Sequence, residues 1–144
     1  MHNEPIGVVR GHVKRILGAR LAANGLLLGL GGLAVFHVLL LLGVLPASIA
    51  WGGRADDSSQ SFLVLELVGL TVIAFFAVIV AAKIGYLKVG RFRQIVRAGS
   101  WVVFGYFTLN ILANLASMSG LERAIFTPVS VVLSLLAFRL AIEK

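Results

Sequence analysis

Cysteine is absent from this 144-residue chain. That excludes disulfides, thiolate nucleophiles, iron–sulfur ligation and zinc–thiolate sites. Charge is scarce at 13% of residues, and acidic charge scarcer, with six Asp and Glu against thirteen Lys and Arg. Of three histidines, His2 and His12 lie in a basic N-terminal segment and only His37 falls inside an apolar run. Haem held by two intramembrane histidines is therefore excluded. A metal site would have His37 and Glu66 but no third strong ligand, so no metal is expected. The glycines between 29 and 32 lie inside an apolar run with no following Lys, so they are no phosphate loop. No Ser–His pairing for nucleophilic catalysis is legible. The basic residues do not alternate with aromatics as nucleic-acid readout requires, so no nucleic-acid partner and no cofactor are expected.

What is abundant is apolar surface. Hydrophobic residues make up 59% of the chain and mean hydropathy is +0.99, against about 45–50% apolar content in soluble domains. The excess falls in four runs, at about 21–45, 62–84, 98–117 and 121–142. Each is near or above the ~20 residues an apolar helix needs to cross ~30 Å of hydrocarbon. Lipid leaves no partner for unpaired backbone groups, so the runs must be helices. A β-barrel would need short alternating segments, and there are none. The first run is far longer than the ~7–15 residues of a signal h-region, and it reads as a retained span. The expectation is one domain over 1–144: an all-α, integral membrane four-helix bundle.

Lys and Arg orient it. Arg10, Lys14, Arg15 and Arg20 precede span one; Lys83, Lys88, Arg91, Arg93 and Arg97 surround the second connection; Arg139 and Lys144 end the chain. The other side holds only Arg54 and Arg123. The basic side should be cytoplasmic, with both termini there and the protein multi-pass in a cell membrane. Such asymmetry counts against dual-topology insertion, and so against small multidrug exporters and fluoride channels of this size. Residues 1–20 read as a basic, amphipathic lead-in that would lie on anionic headgroups, although positive flanks accompany any such protein.

Span one carries small residues on one face, Gly25, Gly29 and Gly32 among them. They permit close helix packing, either within the chain or against a second copy or partner membrane protein. Span one should stop at Pro46. Ser119-x-x-Glu122 has the capping-box form at the start of span four, and Asp57-x-x-Gln60 could cap span two. Pro128 should kink span four, with Thr127 placed to help satisfy the freed carbonyl. A short link makes spans three and four a hairpin.

Polar groups inside a bilayer are expensive, and they mark function by default. At ~1.5 Å per residue, Glu66 and Asn114 lie roughly 5–6 Å below the outer end, and His37 and Asn110 roughly 11–12 Å. Tyr106, Asn110, Asn114 and Ser117 step by 4, 4 and 3 and share a face. Thr108 falls nearly opposite and can bond its own preceding turn, as can the serines of span four. If His37 and Glu66 face the same interior as the asparagines, a polar pocket results. It would be rimmed by Trp51 and Arg54 on one side and Glu122 and Arg123 on the other. Plainer readings exist for each group. Asn110 and Asn114 can be interhelical glue, Tyr106 and His37 packing residues, and Trp51 an interfacial anchor. Glu66 must pair or be carried protonated, with Arg54, Arg123 and His37 as candidate partners.

Gly43-Val44-Leu45-Pro46 through Trp51-Gly52-Gly53-Arg54, with Leu109-Asn110, Asn114, Ser117, Glu122 and Phe126-Thr127-Pro128, resembles a pattern shared by an uncharacterised family of small four-span bacterial membrane proteins. The resemblance implies bacterial origin and the four-span fold, and it brings no activity. Three functional classes remain open. One is a non-enzymatic module binding a small ligand, lipid or proton in an outward-facing pocket, with a transporter-like, sensor or accessory role. The second is a structural or assembly subunit. The third is a membrane-embedded enzyme acting on a lipid or quinone, with His37 and Glu66 as acid and base. Topology is checked directly: a cytoplasm-active reporter fused after Lys144 should be active, and an externally active phosphatase at the same point silent. The reverse pattern would overturn the orientation.

Overall fold

The computed structural model describes residues 18–53 and 60–143. They form four long helices: α1 (Ala19–Leu41), α2 (Gln60–Lys83), α3 (Arg93–Leu115) and α4 (Thr127–Ala141). A 3-10 turn (Gly90–Phe92) leads into α3 and a π-helical turn (Glu122–Phe126) into α4. No strand occurs among the described residues. With those turns included, all four segments are long and apolar enough to cross a membrane.

α1 packs on α2 and α4, and α3 packs on the same two helices, which closes a ring of four. Side-chain pairs set the directions. Gly25 meets Leu136 while Gly29 meets Leu133, and Gly99 meets Ile79 while Tyr106 meets Phe76, so neighbours run antiparallel. The result is an up-down-up-down bundle with a short α3–α4 hairpin. Its core stacks Leu26, Leu30, Phe76, Val80, Val103, Phe107, Leu133 and Leu140. The outward faces are apolar as well, with Leu28 80% and Leu109 68% exposed, as a hydrocarbon solvent requires.

The two ends differ. At the basic end Tyr86 Oη donates to Asn24 Oδ1 (2.9 Å), and Lys83 Nζ donates to the Glu143 carbonyl (2.7 Å). Buried Arg139 pairs with Glu143 Oε2 at 2.6 Å. Residues 42–53 and the α3–α4 hairpin make up the opposite, loop end, where Leu40, Ala47, Ala50 and Phe62 form a small core of their own.

Several element boundaries differ from expectation. α1 ends at Leu41, before Pro46, because Gly43 adopts φ +67° and the Val44 and Leu45 N–H groups fold back onto the Leu39 carbonyl. Gly85, at φ +82°, ends α2 in the same way, with the Tyr86 and Leu87 N–H groups on the Ala81 carbonyl. A left-handed glycine stops a helix where a proline three residues later is not needed. α3 begins at Arg93, five residues before the apolar run, since its first turns carry exposed Arg93, Gln94 and Arg97. Pro128 sits in the first turn of α4, where a missing N–H costs least, and the irregularity lies before it, in the π turn. Thr127 Oγ1 lies 3.5 Å from the Glu122 carbonyl. Residues 1–17 of the lead-in, Arg54 and Asp57 lie outside the described residues, and Ala19 and Arg20 already belong to α1.

The glycine face of α1 is used unevenly. A Cβ at Gly25 would lie 3.2 Å from Leu136 Cδ1, and one at Gly29 would collide with Leu133, so both let α4 approach. Gly32 has nothing within 4 Å of a Cβ and does not share that packing. Gly29→Leu should therefore cost about 1–3 kcal/mol by overpacking, and Gly32→Leu no more than about 0.5 kcal/mol. Unfolding of both variants in mixed micelles measures the contrast.

Candidate functional site

The loop-end half of the bundle gathers the polar side chains. His37 stands two turns above core residue Leu30, on the inward stripe of α1. In α2 the buried residues Phe62, Glu66, Gly69 and Phe76 share the inward face, so the stripe that packs the helix also carries Glu66 inside. Its side chain is fully buried, at 0% exposure.

Two donors receive it. Glu66 Oε2 lies 2.6 Å from His37 Nδ1, and Oε1 accepts the Trp51 indole N–H at 2.5 Å. The neighbour that permits this is Gly69, one turn along α2. A Cβ there would sit 2.9 Å from His37 Cε1, so the imidazole lies against bare backbone. Trp51 reaches Glu66 from a left-handed conformation, φ 55°, followed by Gly52 at φ 77°. For a bulky residue that conformation costs about 1–2 kcal/mol, which the hydrogen bond to Glu66 helps to offset.

A second carboxylate holds the next residue. The Gly52 N–H lies 3.0 and 3.2 Å from the two oxygens of Glu122, and Ser117 Oγ donates to Glu122 Oε2. The Met118 N–H returns to the Gly52 carbonyl (3.2 Å). The dipeptide Trp51–Gly52 thus straps α2 to the α3–α4 hairpin. Only half of the expected capping box is present: the Glu122 N–H approaches Ser119 Oγ at 3.4 Å, while the Glu122 carboxylate turns inward to the strap. The Ser119 N–H takes Ser117 Oγ instead (2.9 Å).

Beneath the strap lies a cavity of about 520 Å³. Its head is lined by His37, Trp51, Asn110, Asn114, Ser130 and Glu122, and its deep end by Leu30, Ile73, Phe76, Phe107 and Leu133. Asn114 Nδ2 donates to Ser130 Oγ across α3 and α4 (2.9 Å), and Asn110 Nδ2 to the Tyr106 carbonyl of its own helix (3.2 Å). Among the described residues every buried side-chain nitrogen or oxygen has a partner. His37 Nε2 has none among them, so it is not buried, and His37 lines the cavity. With Nδ1–H held by Glu66, Nε2 is an acceptor; with the ring protonated it becomes a donor.

His37, Trp51, Tyr106, Asn110, Asn114 and Glu122 therefore meet at one cavity, with Glu66 directly behind His37 and Trp51. Tyr106 stands at its edge, 42% exposed, with its ring 5.0 Å from Phe76. Arg123 is exposed, and Arg54 lies outside the described residues. Trp51, expected as an interfacial anchor, spends its N–H on Glu66. The hydroxyls of α4 are not idle: Ser130 takes Asn114, and Ser134 lies 2.9 Å from Thr108 Oγ1, which also bonds the Phe104 carbonyl (2.9 Å). Gly69 was missed, although the Glu66-x-x-Gly69 spacing, which puts a gap beside a buried carboxylate, is visible in the sequence. No family model, curated protein or solved structure matches the chain.

Trp51→Phe removes a donor from a buried carboxylate, so a stability loss of about 1–3 kcal/mol is expected. Trp101→Phe, at a ring 45% exposed, should cost about 0.5 kcal/mol or less. Equal losses on unfolding in mixed micelles would remove the strap from the account.

Proposed function

We propose that this chain is a multi-pass protein of a bacterial cytoplasmic membrane that binds a small ligand non-enzymatically in the cavity under the strap, in a transporter-like, sensor or accessory role. The observation that carries the reading is the open Nε2 of His37 at the polar head of a 520 Å³ cavity. That volume falls within the ~300–1,000 Å³ of small-molecule sites, which pair apolar walls with a few placed polar groups. The Lys and Arg asymmetry supports a cytoplasmic basic end, which would set the cavity in the far half of the membrane. Exposed Lys88, Arg91, Arg93 and Arg97 would then lie among anionic headgroups.

The features that would favour an assembly subunit close within the chain. Gly25 and Gly29 pack on α4, and Asn114 and Thr108 bond α4 hydroxyls. A homo-oligomer or a partner membrane protein would have to use the outer helix faces. The 2.6 Å contact of His37 with Glu66 favours a second reading, an enzyme acting on a lipid or quinone. A carboxylate-oriented imidazole with a free nitrogen is a competent general base.

Native mass spectrometry of the chain extracted gently from its own membranes tests the primary reading. Wild type should carry a non-covalent adduct. Glu66→Leu/Asn110→Leu should lose it while keeping its helicity and elution volume. An adduct unchanged in the double variant would sink the proposal, and release of a chemically altered product would favour the enzyme.

A further inference from the structure

We infer that the ligand is a single-chain amphiphilic amine, its N–H-bearing cationic head under the strap and its apolar body in the deep end, entering sideways between α2 and α3. The inference rests on reading the cavity as a ligand site. Polarity is graded along the cavity: His37, Asn114 and Glu122 face its head, and Leu30, Phe76 and Leu133 its floor. Such a gradient matches a molecule with one polar end.

Charge selects the head. Glu122 lines the cavity and Glu66 stands directly behind His37, while no Lys or Arg lines it among the described residues. Glu122 is held by a backbone N–H and a hydroxyl, and Glu66 by an indole N–H and His37, so among the described residues no Lys or Arg pairs with either carboxylate. Two carboxylates near the head attract a cation and repel an anionic head. When Nδ1–H points to Glu66, Nε2 offers the lone pair that an ammonium N–H needs. Trp51 and the Phe36–Phe126 pair, with centroids 4.7 Å apart, add aromatic faces that favour a cation.

The wall shows where the molecule enters. α2 and α3 touch through Gly99 on Ile79 and through the rings of Phe76, Tyr106 and Phe107. Nearer the loop end no hydrogen bond or ring contact is seen between these two helices among the described residues, and Ala113 both lines the cavity and is exposed. The gap opens toward the outer helix faces, where an amphiphile resides.

The test uses the full chain carrying Trp101→Phe, which leaves Trp51 as the one tryptophan of the two, in phosphatidylcholine nanodiscs. Dodecylamine, dodecanol and dodecyl sulfate are titrated while Trp51 fluorescence is read. Dodecylamine should saturate at least about tenfold tighter than either alternative, a difference of about 1.4 kcal/mol. Ala113→Phe, at an exposed position on the portal, should abolish the response, and Glu122→Gln should weaken it about tenfold. Competition by phosphatidylethanolamine would assign the amine to a bilayer lipid, and no competition to a soluble amphiphile; both keep the amine chemistry. Dodecanol or dodecyl sulfate binding as tightly, and blocked by Ala113→Phe, would overturn the amine head and leave the cavity reading standing. No response sensitive to Ala113→Phe from any of the three would overturn both.

Discussion

A carboxyl group with no solvent contact, two turns inside the loop end of an apolar helix, is the constraint around which that end is organised. Glu66 cannot be left bare in that setting, because an unpaired buried charge costs several kcal/mol. Its two oxygens are met by an indole from the first loop and an imidazole from α1. Each of those contacts imposes a further one. The indole arrives only if the chain turns left-handed at Trp51. The imidazole arrives only if α2 has no side chain at Gly69. One buried group thus dictates a backbone conformation, a glycine and the depth of a histidine.

Glu122 repeats the solution on the far side of the same dipeptide. Where Glu66 takes the side-chain donor of residue 51, Glu122 takes the backbone donor of residue 52. The strap is therefore fixed from two helices, and the cavity beneath it is kept from collapsing by groups whose hydrogen bonds are already committed. Among the described residues, the polar contacts of the opposite end include Asn24 with Tyr86 and the Lys83, Arg139 and Glu143 group, and the core between the ends is apolar.

The four spans were legible because length and apolarity are read directly from residue type, and lipid admits few alternatives. The shared face of Tyr106, Asn110 and Asn114 was legible from helical spacing, whereas His37 joining it was only a condition, and His37 was among the partners considered for Glu66. What was hidden is set by tertiary geometry. Glu122 has the spacing of a capping box, and the local pattern cannot show that Gly52 offers it a better donor. Trp51 looked like an interfacial ring because nothing local reveals where its N–H points. Pro46 and Pro128 drew attention as helix breakers, yet Gly43 and a π turn do the breaking. Gly32 differs from Gly29 only in which neighbour faces it.

Gly69 also bears on how this sequence can vary. No other amino acid lacks a Cβ, so any replacement at that position intrudes on the imidazole 2.9 Å away. Drift at residue 69 is then tied to residue 37, and through it to residue 66. In a lineage that keeps the buried carboxylate, positions 37 and 69 should change together or not at all, although they lie on different helices.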